Sequence, residues 1–107
     1  MLFVIENEQI EIIIEDNGVG RKLAEQMGEG WSDWFGLVLS SSAANNADEG
    51  RGIGTYAQDQ PTTGGGIRTY RYSRNMTVNP HTYANINNES VPHGVGSVWC
   101  AMIWDLY

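Results

Sequence analysis

This 107-residue sequence predicts an α+β fragment with a short N-terminal β-hairpin, two amphipathic helices and a long irregular middle. Three observations predict it. β-Branched residues crowd the first fourteen positions, apolar residues recur at helical spacing over residues 31–39 and 95–106, and neither period survives between Ser40 and Pro92.

In chain order, Leu2-Phe3-Val4-Ile5 and Ile10-Glu11-Ile12-Ile13-Ile14-Glu15 read as two strands joined around Glu6 to Gln9. Asp16-Asn17-Gly18-Val19-Gly20 then breaks the strand with turn chemistry, and Arg21 to Met27 reads as the start of a helix. In the stretch Gly28 to Gly36 and just beyond, Trp31, Trp34, Phe35, Val38 and Leu39 fall at the spacing of one buried helical face. Glu29 and Asp33 stand four apart on a neighbouring face. Like charges at that spacing weaken a helix, so something cationic or hydrogen-bonding should receive them, and a metal with its ligand histidine would serve.

Ser40 to Pro92 is punctuated by Gly and Asn. A structureless connection of this length is uncommon inside an autonomous domain, so this segment is expected to have little to lean on. Arg68, Arg71 and Arg74, interleaved with Tyr70 and Tyr72, suit a solvated edge strand with inward tyrosines better than a phosphate-binding patch. His81 follows Asn79-Pro80 in a turn and reads as a surface residue. The second helix is expected from His93 to Tyr107, with Val95, Val98, Trp99, Met102, Ile103 and Leu106 on its apolar face and Pro92 before its start. A histidine at that N-terminus is available for hydrogen bonding. Cys100, the single cysteine, sits in the apolar pattern and reads as a packing residue.

Six basic against thirteen acidic residues give a formal charge of −7, which disfavours nucleic acid and anionic membrane as partners. No apolar run approaches the roughly 20 residues of a membrane span. Glu6 and Glu8 interrupt the apolar N-terminus too early for a secretory leader.

Glu29-Gly30-Trp31-Ser32-Asp33-Trp34-Phe35 resembles the zinc-ligand helix of the fungalysin family, secreted metallopeptidases related to the thermolysin-like group. Gly66 to Ser73, Asn79 to Tyr83 and His93 to Trp99 are similar to later blocks of that family in the same order. The resemblance covers about residues 28–107 and implies the C-terminal part of a zinc endopeptidase catalytic domain. It implies Glu29 as metal ligand, Asp33 as the outer carboxylate orienting a zinc-bound histidine, and His93 as the catalytic group facing the oxyanion. It also implies zinc as cofactor in the complete enzyme, a protein or peptide substrate, and an extracellular location. The family's His-Glu-x-x-His is missing, since His81 and His93 are the only histidines. A zinc site of two imidazoles and one carboxylate therefore cannot be drawn from the recognised blocks. The chain is expected to be inactive alone, its possible partner being an N-terminal half that supplies those ligands.

Ile12 to Glu25 is similar to the Asp-x-Gly-x-Gly segment of sensor histidine-kinase ATP-binding domains. That resemblance implies Asp16, Gly18 and Gly20 as nucleotide-binding residues, and it divides the chain into residues 1–27 and residues 28–107 with a junction near Met27. The alternatives are accordingly an ATP-binding remnant or a non-catalytic interaction module.

Overall fold

A computed structural model describes the backbone of residues 2–6, 9–13 and 19–107 and the side chains of residues 25–107. Helix α1 runs over Val19–Leu39 and helix α2 over His93–Trp104. Val19 and Gly20, expected in a turn, are already helical. The rest of that expected turn, Asp16 to Gly18, lies outside the described residues.

Where the helices cross, the backbones come close enough that only glycine fits. A Cβ added at Gly30 would stand 2.5 Å from the Gly96 carbonyl oxygen and 2.6 Å from Trp99 Cδ1. One added at Gly96 would stand 2.7 Å from both the Gln26 carbonyl oxygen and Glu29 Cβ. Glycine in a helix interior costs about 1 kcal/mol relative to alanine, and here that cost is offset by the close approach of two helices.

This crossing decides which face of α1 is inside. Gln26, Gly30, Asp33 and Leu37 are buried, whereas Trp31, Phe35 and Leu39 are 39%, 52% and 83% exposed. The expected aromatic stripe is therefore corrected, because α2 meets α1 along the glycine and carboxylate side. On α2 the buried residues run nearly all the way round, from Gly94 to Val98 and then Cys100, Ala101 and Trp104. Met102 and Leu106, expected on its apolar face, are exposed. The helix ends at Trp104, short of the expected Tyr107.

Between the helices, the segment from Ser40 to Pro92 folds onto them. Tyr72 is fully buried, in one cluster with Leu37, Cys100, Ala101 and Trp104, and Trp34, Val38 and Ile53 pack around that cluster. Arg51 and Tyr72 exchange both backbone hydrogen bonds, Arg51 N–H to Tyr72 O at 2.9 Å and Tyr72 N–H to Arg51 O at 2.8 Å. The Arg51 guanidinium donates to the Leu37 carbonyl at 2.9 Å and to the Ser41 and Ser40 hydroxyls at 2.5 and 2.6 Å. It thereby satisfies an orphan carbonyl and places positive charge at the C-terminal end of α1. Gly54 and Gly66 adopt φ of +73° and +74°, which permits the tight return around Ile53 and Ile67. The expectation that this segment has little to lean on is overturned, since it contributes to the core and caps α1.

His81 is a second correction of the same kind. It is buried, its Nε2 lies 2.9 Å from Glu89 Oε1, and its ring packs edge-on against Tyr70 with centroids 4.9 Å apart. Asn79 Oδ1 accepts from the His81 backbone N–H, so the Asn-Pro turn folds the histidine inward rather than presenting it.

The α+β class is corrected to a helical fragment. Residues 25–107 contain no β-strand, only the isolated Arg51–Tyr72 bridge and short 3₁₀ turns at Tyr56–Gln58 and Tyr83–Asn88. Residues Leu2–Glu6 (β1) and Gln9–Ile13 (β2) pair antiparallel. Two strands alone do not make an independent sheet layer, so the class rests on α1 and α2. The hairpin therefore does not define the fold.

Candidate active site

Asp33 stands on the buried face of α1 and is 5% exposed, so its charge must be met inside the protein. Arg68 meets it with two bonds, Nε to Oδ2 at 2.7 Å and Nη2 to Oδ1 at 2.9 Å. This is the bidentate fork that a planar guanidinium forms with a carboxylate. The Tyr72 hydroxyl donates to the same Oδ2 at 2.5 Å. All three groups are desolvated, and the Arg68 side chain is only 9% exposed.

Glu29 lies one helical turn before Asp33 and is reached by the same arginine, with Nη2 3.6 Å from Oε2. His93, the first residue of α2, places Nδ1 2.8 Å from that Oε2. The polar groups thus form one chain, Tyr72–Asp33–Arg68–Glu29–His93. It starts in the core and ends at an open concavity lined by Glu29, Ile67, Arg68, Ser90 and His93. Because Arg68 stands between the two carboxylates, it offsets the like-charge repulsion that their i, i+4 spacing imposes on α1.

The electrostatics follow from burial. The Asp33 hydrogen bond holds Arg68 more firmly protonated, against an opposing desolvation. Burial, then the neighbouring Cys100 and Asp33, push the Tyr72 phenol well above its usual range, so it remains a donor. Burial first and the Asp33 charge second push the Cys100 thiol up to about 12, with the Tyr72 hydroxyl partly opposing them. Cys100 is thus a protonated packing group.

The expected site residues Glu29, Asp33 and His93 come together in this chain of contacts, although they are up to 64 positions apart in sequence. Arg68 and Tyr72 were not singled out as site residues. The signal for them was the unexplained Glu29/Asp33 pair. It called for a cationic or hydrogen-bonding group, and the Arg68 guanidinium meets both carboxylates. Asp16 and Gly18 lie outside the described residues, and Gly20 falls within α1.

A zinc site of this type takes two imidazoles and one carboxylate. Among the described residues no group of three or more His, Cys, Asp and Glu side chains is placed to hold a metal ion. His93 faces Glu29, while His81 is occupied by Glu89. These residues therefore do not make a complete zinc site.

The sequence model of the fungalysin metallopeptidase family matches residues 15–107. That range takes in Asp16, Gly18 and Gly20, so the nucleotide-binding alternative is not supported. Extracellular metalloproteinase 4 of Trichophyton tonsurans is 38% identical over 80 residues, 75% of this chain and 12% of its own length. Extracellular metalloproteinase 2 of Arthroderma gypseum is 39% identical and that of Arthroderma otae 38%, with the same shares covered. The matched part of the chain spans only about 12% of the length of these curated relatives. Several ordered blocks, a match over residues 15–107 and relatives of one kind lead to one assignment: this chain belongs to the fungalysin metallopeptidase family.

Proposed function

We propose that this chain is a portion of an extracellular zinc endopeptidase, contributing a metal-ligand carboxylate, Glu29, and an oxyanion-facing imidazole, His93, to a catalytic domain completed elsewhere. The observation that supports this reading is the 2.8 Å contact between His93 Nδ1 and Glu29 Oε2. It joins the two sequence blocks whose family counterparts act on the same scissile bond. Asp33 is the orienting carboxylate of the set, and the substrate is a protein or peptide. The relatives are named extracellular metalloproteinases, which supports the same location for this chain.

Without a second imidazole at Glu29, the described residues neither hold zinc tightly nor carry hydrolysis alone. The missing ligands come from an N-terminal partner segment, and without that segment the chain serves as a non-catalytic module. The peptidase-like portion begins before Met27 in this reading, because α1 continues unbroken across that residue and the family match starts at residue 15.

The test is zinc titration with a competing chelator, first on the chain alone and then with a separately produced polypeptide carrying a relative's His-Glu-x-x-His helix. We expect no stoichiometric zinc on the chain alone. We expect tight zinc in the mixture that Glu29→Gln abolishes, together with casein cleavage that His93→Ala lowers by about two orders of magnitude. Casein cleavage by the chain alone that disappears in Glu29→Gln would overturn the incomplete-site reading. A mixture whose zinc affinity ignores Glu29→Gln would overturn the ligand assignment.

A further inference from the structure

We infer that Tyr72 is a positioning residue of this site: its hydroxyl orients Asp33, and Asp33 in turn aims Arg68 at Glu29. Three features of the structure carry the inference. Tyr72 is the most firmly fixed member of the polar chain, fully buried against Leu37, Cys100, Ala101 and Trp104 and tied through both backbone groups to Arg51. The phenol has a single proton to donate, and an ionised carboxylate can only accept, so the direction of the bond is settled. Finally, Asp33 Oδ2 takes two donors, Tyr72 and Arg68 Nε, while Oδ1 takes Arg68 Nη2.

The terminal torsion of an aspartate is broad and does not itself choose an orientation. Arg68 belongs to the connecting segment rather than to either helix, so it does not inherit a fixed place from one. Tyr72 supplies the missing constraint. With the phenol in place, both carboxylate oxygens lie where the guanidinium fork can meet them, and Nη2 is left 3.6 Å from Glu29. The rigidity of the core thus reaches the rim of the concavity through three hydrogen bonds. In its consequence for Glu29 the inference rests on the peptidase reading, but the geometry of Arg68 can be measured without metal or substrate.

The experiment is nuclear magnetic resonance of the 15N-labelled 107-residue chain, following the Arg68 Nε–H resonance and its exchange with water. Tyr72→Phe keeps the ring and removes only the hydroxyl. We expect Arg68 Nε–H exchange to accelerate about tenfold or more, as befits loss of a hydrogen bond to a charged group, with a displaced resonance. Tyr70→Phe, whose ring packs on His81, should leave the Arg68 signal unchanged. If Tyr72→Phe does not fold, a fluorinated tyrosine at position 72 decides. Its more acidic phenol strengthens the bond to Asp33 and should move the Arg68 resonance, whereas the same substitution at Tyr70 should not. An Arg68 signal indifferent to both changes at Tyr72 would mean that the tyrosine only fills the core, and the inference would be lost. The mixed zinc titration above fails or succeeds separately, so the two readings can fall independently.

Discussion

The two faces of α1 depart from the usual assignment of polar to outside and apolar to inside. One face carries Gly30, Asp33 and Leu37 and is buried, while the face with Trp31, Phe35 and Leu39 remains exposed. A hydrophobic stripe identifies a surface that gains from burial, but burial requires a partner, and in this chain α2 lies on the other side. The carboxylate face is stable inside because Arg68 and Tyr72 neutralise and saturate Asp33, and because Gly30 lets α2 come close. Backbone approach and charge compensation outweigh side-chain hydrophobicity at this interface.

The largest effect is expected at Asp33. Asp33→Ala leaves the buried Arg68 charge without its bidentate partner, and urea unfolding should show a loss of about 3–5 kcal/mol. Leu37→Ala on the same face removes a fully buried side chain and should cost about 2–5 kcal/mol by the same measurement. Gly30→Ala sharpens the role of backbone approach. Alanine favours an isolated helix over glycine, so a measured destabilisation of about 1–3 kcal/mol would show that the crossing with Gly96 wins over propensity.

A pH series tests the interior on α2. The Cys100 thiol is raised from about 9 to about 12 in the folded protein, so the unfolded chain loses its proton first as pH rises. Its contribution is whole below pH 9 and is lost progressively from there toward pH 12. Half a unit above the ordinary thiol value the loss should be about 1 kcal/mol, and Cys100→Ala should remove that part of the alkaline slope. On the exposed face the smallest effect is expected. Phe35→Ser should change the stability of the isolated chain by less than about 0.5 kcal/mol, although Phe35 belongs to the apolar stripe that the sequence predicts to be buried.

The legibility of the site follows the same division. Glu29, Asp33 and His93 were named through the resemblance to the fungalysin family, and the structure brings their side chains into one chain of contacts. The unanswered charge of Glu29 and Asp33 called for a cationic or hydrogen-bonding group, without saying which. Arg68 and Tyr72 could not be chosen from that signal, because any of the arginines in the connecting segment could have answered it. His81 misled for a related reason: an Asn-Pro turn marks a change of direction, and only the surrounding chain decides whether the next side chain turns inward.

The family, the existence of two helices and the pairing of carboxylates one turn apart are written in the order of residues. These depend on short-range spacing and residue chemistry, which the chain carries wherever it folds. Tertiary structure alone decided which face of α1 is buried, which guanidinium meets Asp33, and how the Gly- and Asn-rich connection becomes part of the core. Those outcomes depend on which distant backbone can approach most closely, and no local period encodes that distance.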